Sequence, residues 1–233
     1  MKAFLLAAGR GSRLSPLTDE IPKCLLRFDG RTLLDRWLDD LADARVDDVL
    51  VNLHHLAGAV ESHLARRTGG PRVRTSYEPM LLGSAGTLLA HRSWVLEEEM
   101  FVACNADNLT DFPVGDLIEF HLSGDALATL AVFRADDPSA CGIVEVDGNA
   151  NVTGYAEKPA HPRCDLANAG IYAFDPGVLD LLAADRPLDI GYDLLPKLIG
   201  RARAIEVEGY FRDIGTPAAY EQAQRDWRVR VAR

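Results

Sequence analysis

Cysteine is scarce in this chain, four residues among 233, and Cys24, Cys104, Cys141 and Cys164 show no Cys-x-x-Cys spacing. That scatter argues against a structural zinc site and predicts reduced, mostly buried thiols. No apolar run approaches the roughly eighteen residues that a membrane-spanning helix needs. Met1-Lys2 leads straight into what reads as a core strand, so the expectation is a cytoplasmic protein with no membrane partner. Cations are outnumbered, 25 Lys and Arg against 35 Asp and Glu for a formal net charge of -10. A whole-surface basic field for nucleic acid is thereby excluded, while a local cationic pocket is not. Internal repeats and low-complexity segments are missing as well. With 48% apolar and 26% charged residues, the chain is that of a soluble globular protein, long enough for one well-buried α/β domain and too short for two ordinary ones.

Two familiar glycine-loop signatures are also absent. A dinucleotide-binding fingerprint wants a third small residue where this chain has Leu14, and a Walker A loop wants Gly-Lys-Ser/Thr, which does not occur. In their place the apolar run Phe4-Leu5-Leu6-Ala7-Ala8 breaks into Gly9-Arg10-Gly11-Ser12-Arg13-Leu14-Ser15-Pro16-Leu17-Thr18, followed by Ile21-Pro22-Lys23. Gly9 and Gly11 can take backbone angles that side chains forbid, so that several N–H groups from Leu6 to Ser12 converge on phosphate oxygens, while Arg13 and Lys23 supply positive charge. The segment reads as a nucleoside triphosphate loop. Gly-x-Gly-Ser-Arg-Leu-x-Pro-Leu-Thr, three residues, then Pro-Lys-x-Leu-Leu resembles the signature of the sugar-1-phosphate nucleotidyltransferases.

The first half alternates apolar runs with amphipathic stretches: strands at 2–7, 48–53, 72–77 and 100–104, helices at about 32–44, 56–66 and 84–92. This rhythm predicts a mostly parallel sheet covered by helices on both faces, which agrees with the Rossmann-like single domain that the resemblance implies. After a helix at about 114–122 come strands 127–134, 142–147, 152–157 and 168–174 with turns such as Asp147-Gly148-Asn149, predicting mixed or antiparallel pairing. Helices at about 176–183 and 191–200, strands near 203–207 and 210–213 and a charged helix from about 217 complete the chain, its last residues fraying. The aspartate-rich stretch 35–48 reads as a solvated helix face with its turn. His161-Pro162-Arg163-Cys164 holds two metal-ligating types but nothing nearby completes a site, and it reads as a loop. No hexapeptide repeat is present, so the β-helix that some family members carry is not expected.

The remaining motifs are read with the resemblance. Asp107, in Asn105-Ala106-Asp107-Asn108, follows strand 100–104, where parallel sheets place ligand sites. The family more often has Gly-Asp there. Asp213, in Phe211-Arg212-Asp213-Ile214-Gly215-Thr216-Pro217, resembles the family's Trp-x-Asp-x-Gly-Thr-Pro element. The resemblance makes these two carboxylates the Mg²⁺ ligands; in isolation each could equally be a cap or turn residue. The base-recognition segment reads Glu78-Pro79-Met80-Leu81-Leu82-Gly83-Ser84-Ala85-Gly86-Thr87, where Gly83 and Gly86 could admit a base edge and Ser84 could cap a helix. On the acceptor side, Glu157-Lys158-Pro159 and Asn168-Ala169-Gly170-Ile171-Tyr172 resemble family elements for sugar hydroxyls and the acceptor phosphate, with Asn108 beside them.

The resemblance implies an enzyme that joins an NTP to a sugar 1-phosphate, giving an NDP-sugar and pyrophosphate, with a nucleotide-binding half at about 1–110 and a sugar-phosphate-binding half at about 111–233. Arg13 would stabilise the departing pyrophosphate and Lys23 the α-phosphate. The Leu-Gly-Ser-Ala-Gly-Thr-Leu spelling resembles that of guanylyl- or uridylyltransferases, and the resemblance to compact family members of about this length favours GTP with a mannose- or heptose-type acceptor. Uridylyl transfer to an amino-sugar phosphate, cytidylyl transfer to a phospho-alcohol and a non-catalytic nucleotide-sugar sensor stand as alternatives, and a homodimer is left open. A nicotinamide dehydrogenase is opposed by the missing third glycine.

Overall fold

The computed structural model describes residues 1–183 and 186–231. The expected fraying of residues 232 and 233 lies outside them.

The chain begins with β1 (Lys2–Leu6), the centre of a nine-stranded mixed sheet. On one side β1 pairs in parallel with β4 (Asp48–Leu53), which pairs in parallel with β5 (Arg72–Tyr77). On the other it pairs in parallel with β6 (Phe101–Asn105). The second half then reverses direction, as expected: β11 (Leu166–Phe174) runs antiparallel to β6, to β8 (Ala128–Arg134) and to β9 (Gly142–Val146). β10 (Val152–Glu157) pairs antiparallel with β9, and β12 (Ala202–Glu206) lies parallel to β8. Two small ribbons stand apart from this sheet. One joins β2 (Arg27–Phe28) to β3 (Arg31–Thr32); the other joins β7 (Asn108–Thr110) to β13 (Phe211–Asp213).

Side chains alternate across each central strand, so the sheet feeds two cores. Ala3, Leu5, Val49, Val51, Val102 and Cys104 point to the face covered by α2 (Leu33–Asp43), α3 (Ala57–Leu64) and α6 (Val114–Leu122). Phe4, Leu50, Phe101 and Phe174 point to the other, covered by α4 (Ser84–Ala90), α5 (Arg92–Val95) and tight-turn segments at Pro176–Leu181 and Ile190–Leu198. α2 shows how the sequence sets these pieces. Leu33, Leu34, Trp37, Leu38 and Leu41 bury one face at helical spacing, and Thr32 caps it by accepting from Asp35 N–H at 3.0 Å. The smaller α1 (Leu17–Glu20) precedes β2, and α7 (Pro217–Val231) closes a third core in which Leu14, Phe28, Leu109, Ile214 and Trp227 meet.

Several expectations change. The stretches at 176–183 and 191–200 are not α-helices: Asp175 and Asp189 take Gly177, Gly191 and Tyr192 N–H groups in tight Asx-type turns, and Pro196 lies inside the second. The 84–92 helix stops at Ala90 and a separate turn, α5, follows. The aspartates of 35–48 are not one solvated face. Asp48 is buried in β4 and bonded twice to Arg72, while Asp35 is held by His63 and Arg67. Asp40 lines a separate cavity of about 380 Å³ with Trp37, Phe112 and Trp227. Burial pushes its carboxyl up to about 6, with Asp43 and Asp116 adding repulsion against one hydrogen bond from Val114 N–H. Cys24 and Cys104 are buried, as predicted, whereas Cys141 and Cys164 are half-buried.

Candidate active site

The loop expected to bind phosphate leaves β1 and is pinned at once. Asn52, from the end of β4, accepts with Oδ1 from Ala7 N–H at 2.7 Å and Ala8 N–H at 3.3 Å. Its Nδ2 donates to Glu78 Oε1 at 2.9 Å and Thr87 Oγ1 at 3.0 Å, and Glu78 Oε2 accepts from Leu82 N–H at 3.0 Å. Asn52, Glu78 and Thr87 are buried, so the phosphate loop and the base loop hang from one satisfied polar network. Gly11 has φ +65° and its carbonyl accepts from Leu14 N–H and Thr18 Oγ1, so a glycine is required there. Gly9 is not in the left-handed region, contrary to expectation; the space where its Cβ would stand is empty to 4 Å, which leaves its backbone open to a ligand.

Asp107 follows β6, and the β7–β13 ribbon places Asp213 directly opposite Asn108. Lys23, at the start of a tight turn after Pro22, is 8% exposed and puts Nζ 2.8 Å from Asp107 Oδ2 and 3.2 Å from Asp213 Oδ1. Three groups separated by 84 and 190 residues thus converge. Arg13 reaches the same place: its guanidinium lies 3.0 Å from where a Gly215 Cβ would be, as does Asp213 Oδ1. Two carboxylates aimed at one cationic group form an oxygen donor pair suited to Mg²⁺, which takes one or two carboxylates and completes its shell with water and substrate phosphates. Among the described residues no cluster of three or more His, Cys, Asp or Glu forms a self-sufficient cage.

The second cluster is built on β10 and β11. Tyr155 donates its hydroxyl to Glu157 Oε2 in a short hydrogen bond, and burial followed by that carboxylate raises the phenol well above its usual range, so it stays a donor. Gly142 and Gly191 make room for this pair; a Cβ at Gly142 would come 2.2 Å from the Tyr155 hydroxyl. Lys158 sits at φ +45° with its N–H on Cys141 O and its Nζ 3.9 Å from Glu157 Oε1. Asn168 donates to the Tyr172 hydroxyl at 2.7 Å and accepts from Gly170 N–H at 3.1 Å, and Gly170 (φ +72°) lets Asn105 approach.

Two adjoining cavities result, of about 460 and 220 Å³, sharing Ser84, Asn105, Asp107 and Asp189. Leu6, Ala7, Ala8, Gly9, Gly11, Ser12, Arg13, Lys23, Glu78, Gly83 and Ser84 line the larger. Asn108, Glu157, Lys158, Asn168, Gly170 and Asp213 line the smaller. Of the residues singled out from sequence only Gly86 lies in neither wall. Three of them also make local contacts that the sequence did not foretell. Ser84 does not cap α4; it donates to Asp189 Oδ2 and accepts from Ile190 N–H. Gly83 packs on the backbone of Leu188, whose carbonyl oxygen is 2.2 Å from where a Cβ would be. Asn108 is buried, with its amide on Ala169 O at 2.8 Å, and so ties β7 to β11. Asn52, Asn105, Tyr155 and Asp189 were not anticipated. The signal for Asn52 was an amide inside the otherwise apolar run Val49-Leu50-Val51-Asn52-Leu53.

The family model described as nucleotidyl transferase matches residues 2–229. The chain belongs to the nucleotidyl transferase family. Its relatives include mannose-1-phosphate guanyltransferase beta-B of Xenopus laevis, 32% identical over 223 residues, covering 93% of this chain and 62% of that protein. Another is the mannose-1-phosphate guanylyltransferase catalytic subunit beta of Drosophila melanogaster, 33% identical over 222 residues, covering 93% and 60%. The chain spans about three fifths of the length of these curated relatives. Among solved structures, HddC from Yersinia pseudotuberculosis complexed with GMP-PN is 25% identical with a TM-score of 0.79, covering 97% of this chain and 99% of that one. A putative glucose-1-phosphate thymidylyltransferase from Bacillus anthracis shares the fold at 24% identity and a TM-score of 0.88, covering 98% and 95%. Among the described residues no helix is long and apolar enough to cross a membrane.

Proposed function

We propose that the cleft joins a nucleoside triphosphate to a sugar 1-phosphate. An oxygen of the acceptor phosphate attacks the α-phosphorus, the new P–O bond forms as the bond to the β-phosphate oxygen breaks, and pyrophosphate leaves with the electron pair. The attacking group is already an anion, so positioning and charge neutralisation supply the rate and no general base is required. The observation that carries this reading is the convergence of Lys23, Asp107 and Asp213 on the seam between the two cavities.

The larger cavity takes the nucleotide, with its phosphates along Gly9–Arg13 and its base toward Glu78–Gly86; the smaller takes the sugar phosphate. Arg13 and Lys23 meet phosphate charge. Glu157, held by Tyr155, accepts from sugar hydroxyls, and Lys158 grips the acceptor phosphate. Asp107 and Asp213 would hold Mg²⁺, which when bound supplies charge neutralisation at the reacting phosphate. The names of the curated relatives support GTP as donor and mannose 1-phosphate, or a heptose of like shape, as acceptor. Two half-buried free thiols, Cys141 and Cys164, suit a reducing cytoplasm.

A pyrophosphate-release matrix tests the assignment: GTP, UTP, CTP, dTTP and ATP against mannose, heptose, glucose and N-acetylglucosamine 1-phosphates, with phosphocholine added. Release confined to GTP with a mannose- or heptose-type acceptor is the expected result. Release with CTP and phosphocholine alone would sink it.

A further inference from the structure

The segment Leu188–Gly191 touches both halves of the cleft, and the chemistry above makes no use of it. On the nucleotide side it is zipped to the loop before α4. Leu188 N–H donates to Leu82 O at 2.8 Å, Ala85 and Gly86 N–H donate to Leu188 O at 3.0 and 3.1 Å, and Ile190 N–H donates to Ser84 Oγ at 2.8 Å. On the acceptor side Gly191 backs the Glu157 carboxylate so closely that a Cβ would come within 2.5 Å of Oε2. Between these contacts stands Asp189, exposed and lining both cavities.

Its carboxylate does not swing freely. Oδ1 accepts from Gly191 N–H at 2.8 Å and from Tyr192 N–H at 3.2 Å, while Oδ2 accepts from Ser84 Oγ at 2.9 Å. A carboxylate offers about four acceptor positions, so an oriented one is left on Oδ2 at the seam. A fixed anion there repels phosphate oxygens and suits a hydrogen-bond donor or a cation. Guanine carries N–H donors on its edge, but between base and phosphates the donors that the two substrates bring are hydroxyls, on the ribose or on the acceptor sugar.

Resting on the transferase reading, we propose that Asp189 is a specificity-determining residue that accepts a hydrogen bond from a substrate hydroxyl at the junction of the two cavities. A hydrogen bond to a charged acceptor discriminates strongly against a partner that lacks the donor. The requirement for that hydroxyl is written into the wall the two substrates share, and Ser84 sets its direction from the base loop.

Steady-state kinetics with deoxy substrates test this. One arm compares GTP with its 2′-deoxy and 3′-deoxy forms; the other compares mannose 1-phosphate with its 2-, 3-, 4- and 6-deoxy forms. In the unaltered protein kcat/KM should fall at least about tenfold for one of these omissions. In Asp189→Ala the same omission should matter at least about threefold less than in the unaltered protein, whereas Ser84→Ala, which retains the carboxylate, should lower kcat/KM with more of that discrimination retained. If Asp189→Ala does not fold, Asp189→Asn takes its place, since its carbonyl oxygen keeps the backbone bonds while an amide donor replaces Oδ2; the same reduction is expected. No discrimination in any arm, or discrimination that shrinks less than this in the Asp189 variant, overturns the inference while leaving the transferase reading standing. Absence of pyrophosphate release in every pairing overturns both.

Discussion

Asn52 and Glu78 meet side chain to side chain across the cleft floor, Nδ2 donating to Oε1 at 2.9 Å with both residues buried. Each also holds a loop, Asn52 the N–H groups of Ala7 and Ala8, Glu78 that of Leu82. Asn52→Asp keeps shape and the loop acceptor but sets a second carboxylate against Glu78. Stability at neutral pH should fall by about 1–3 kcal/mol in urea unfolding, and nucleotide affinity with it. A buried carboxyl beside a like charge has its folded pKa raised, so the deficit should shrink on acidification and grow as pH rises. Unchanged stability at pH 7 would show the two loops to be held independently.

The two aspartates facing Lys23 are 43% and 54% exposed, and replacing one leaves the other on Lys23, so the fold should tolerate each single change. Asp107→Asn and Asp213→Asn should each lower kcat by at least about a hundredfold with thermal stability intact. If both serve one ion, as proposed, the double variant should lose far less than the sum of the two free-energy effects. Near-normal turnover of either at saturating Mg²⁺ removes it from metal binding.

Lys23 stands between those carboxylates and is buried, so its replacement uncovers charge as well as removing it. Lys23→Ala should reduce kcat/KM by about 2–4 kcal/mol, and Lys23→Arg should not restore it, since a planar fork replaces a compact ammonium. The alanine variant should also bind Mn²⁺ more tightly without nucleotide, because a competing cation has left; weaker binding would contradict the shared position.

Glu157→Ala should weaken use of the sugar 1-phosphate while leaving NTP affinity within about threefold, the contacts lying on different substrates. Gly83→Val, by contrast, is foremost a folding defect. Its Cβ would collide with Leu188 O, and φ there is +80°. A loss of about 1–3 kcal/mol or more is expected by thermal unfolding before any effect on base selectivity can be read. Isothermal titration with nucleotide would expose the opposite pattern for Glu157.

Asp40 carries a pH signature. Its carboxyl is raised from 3.8 to about 6, chiefly by burial, so the stability it permits is full below about pH 4 and is lost as pH climbs through about 6. Asp40→Asn should flatten the stability profile over that window and raise stability at pH 7 by about 2–3 kcal/mol. An unchanged profile would mean that the carboxyl titrates like an exposed one.

Much of the architecture was legible because period and length agree. Asp48–Leu53 and Arg72–Tyr77 match their predicted bounds, and Phe101–Asn105 differs by a residue at each end. What escaped depends on contacts between distant segments. The strand near 210–213 was expected, but its partner β7 has three residues and no periodicity of its own, so the ribbon they form was not. Ser84 reads as a helix cap in isolation, yet its hydroxyl is claimed by a segment more than a hundred residues away. Gly83 invites a ligand on paper, and in the fold it receives Leu188. Asp40 falls on the amphipathic pattern of α2 as a surface residue, and only the packing of the Asp111–Val114 stretch against it reveals the burial.

The ribbon that carries Asp213 also sets a schedule. A ribosome delivers Lys23 and Asp107 to the growing chain well before Asp213, which joins Lys23 across 190 residues. Until β13 emerges and lies down beside β7, the nascent protein has a phosphate loop and a base loop but only half of its paired carboxylates. On the proposed reading, turnover must therefore wait until residue 213 has been made and β13 has paired with β7.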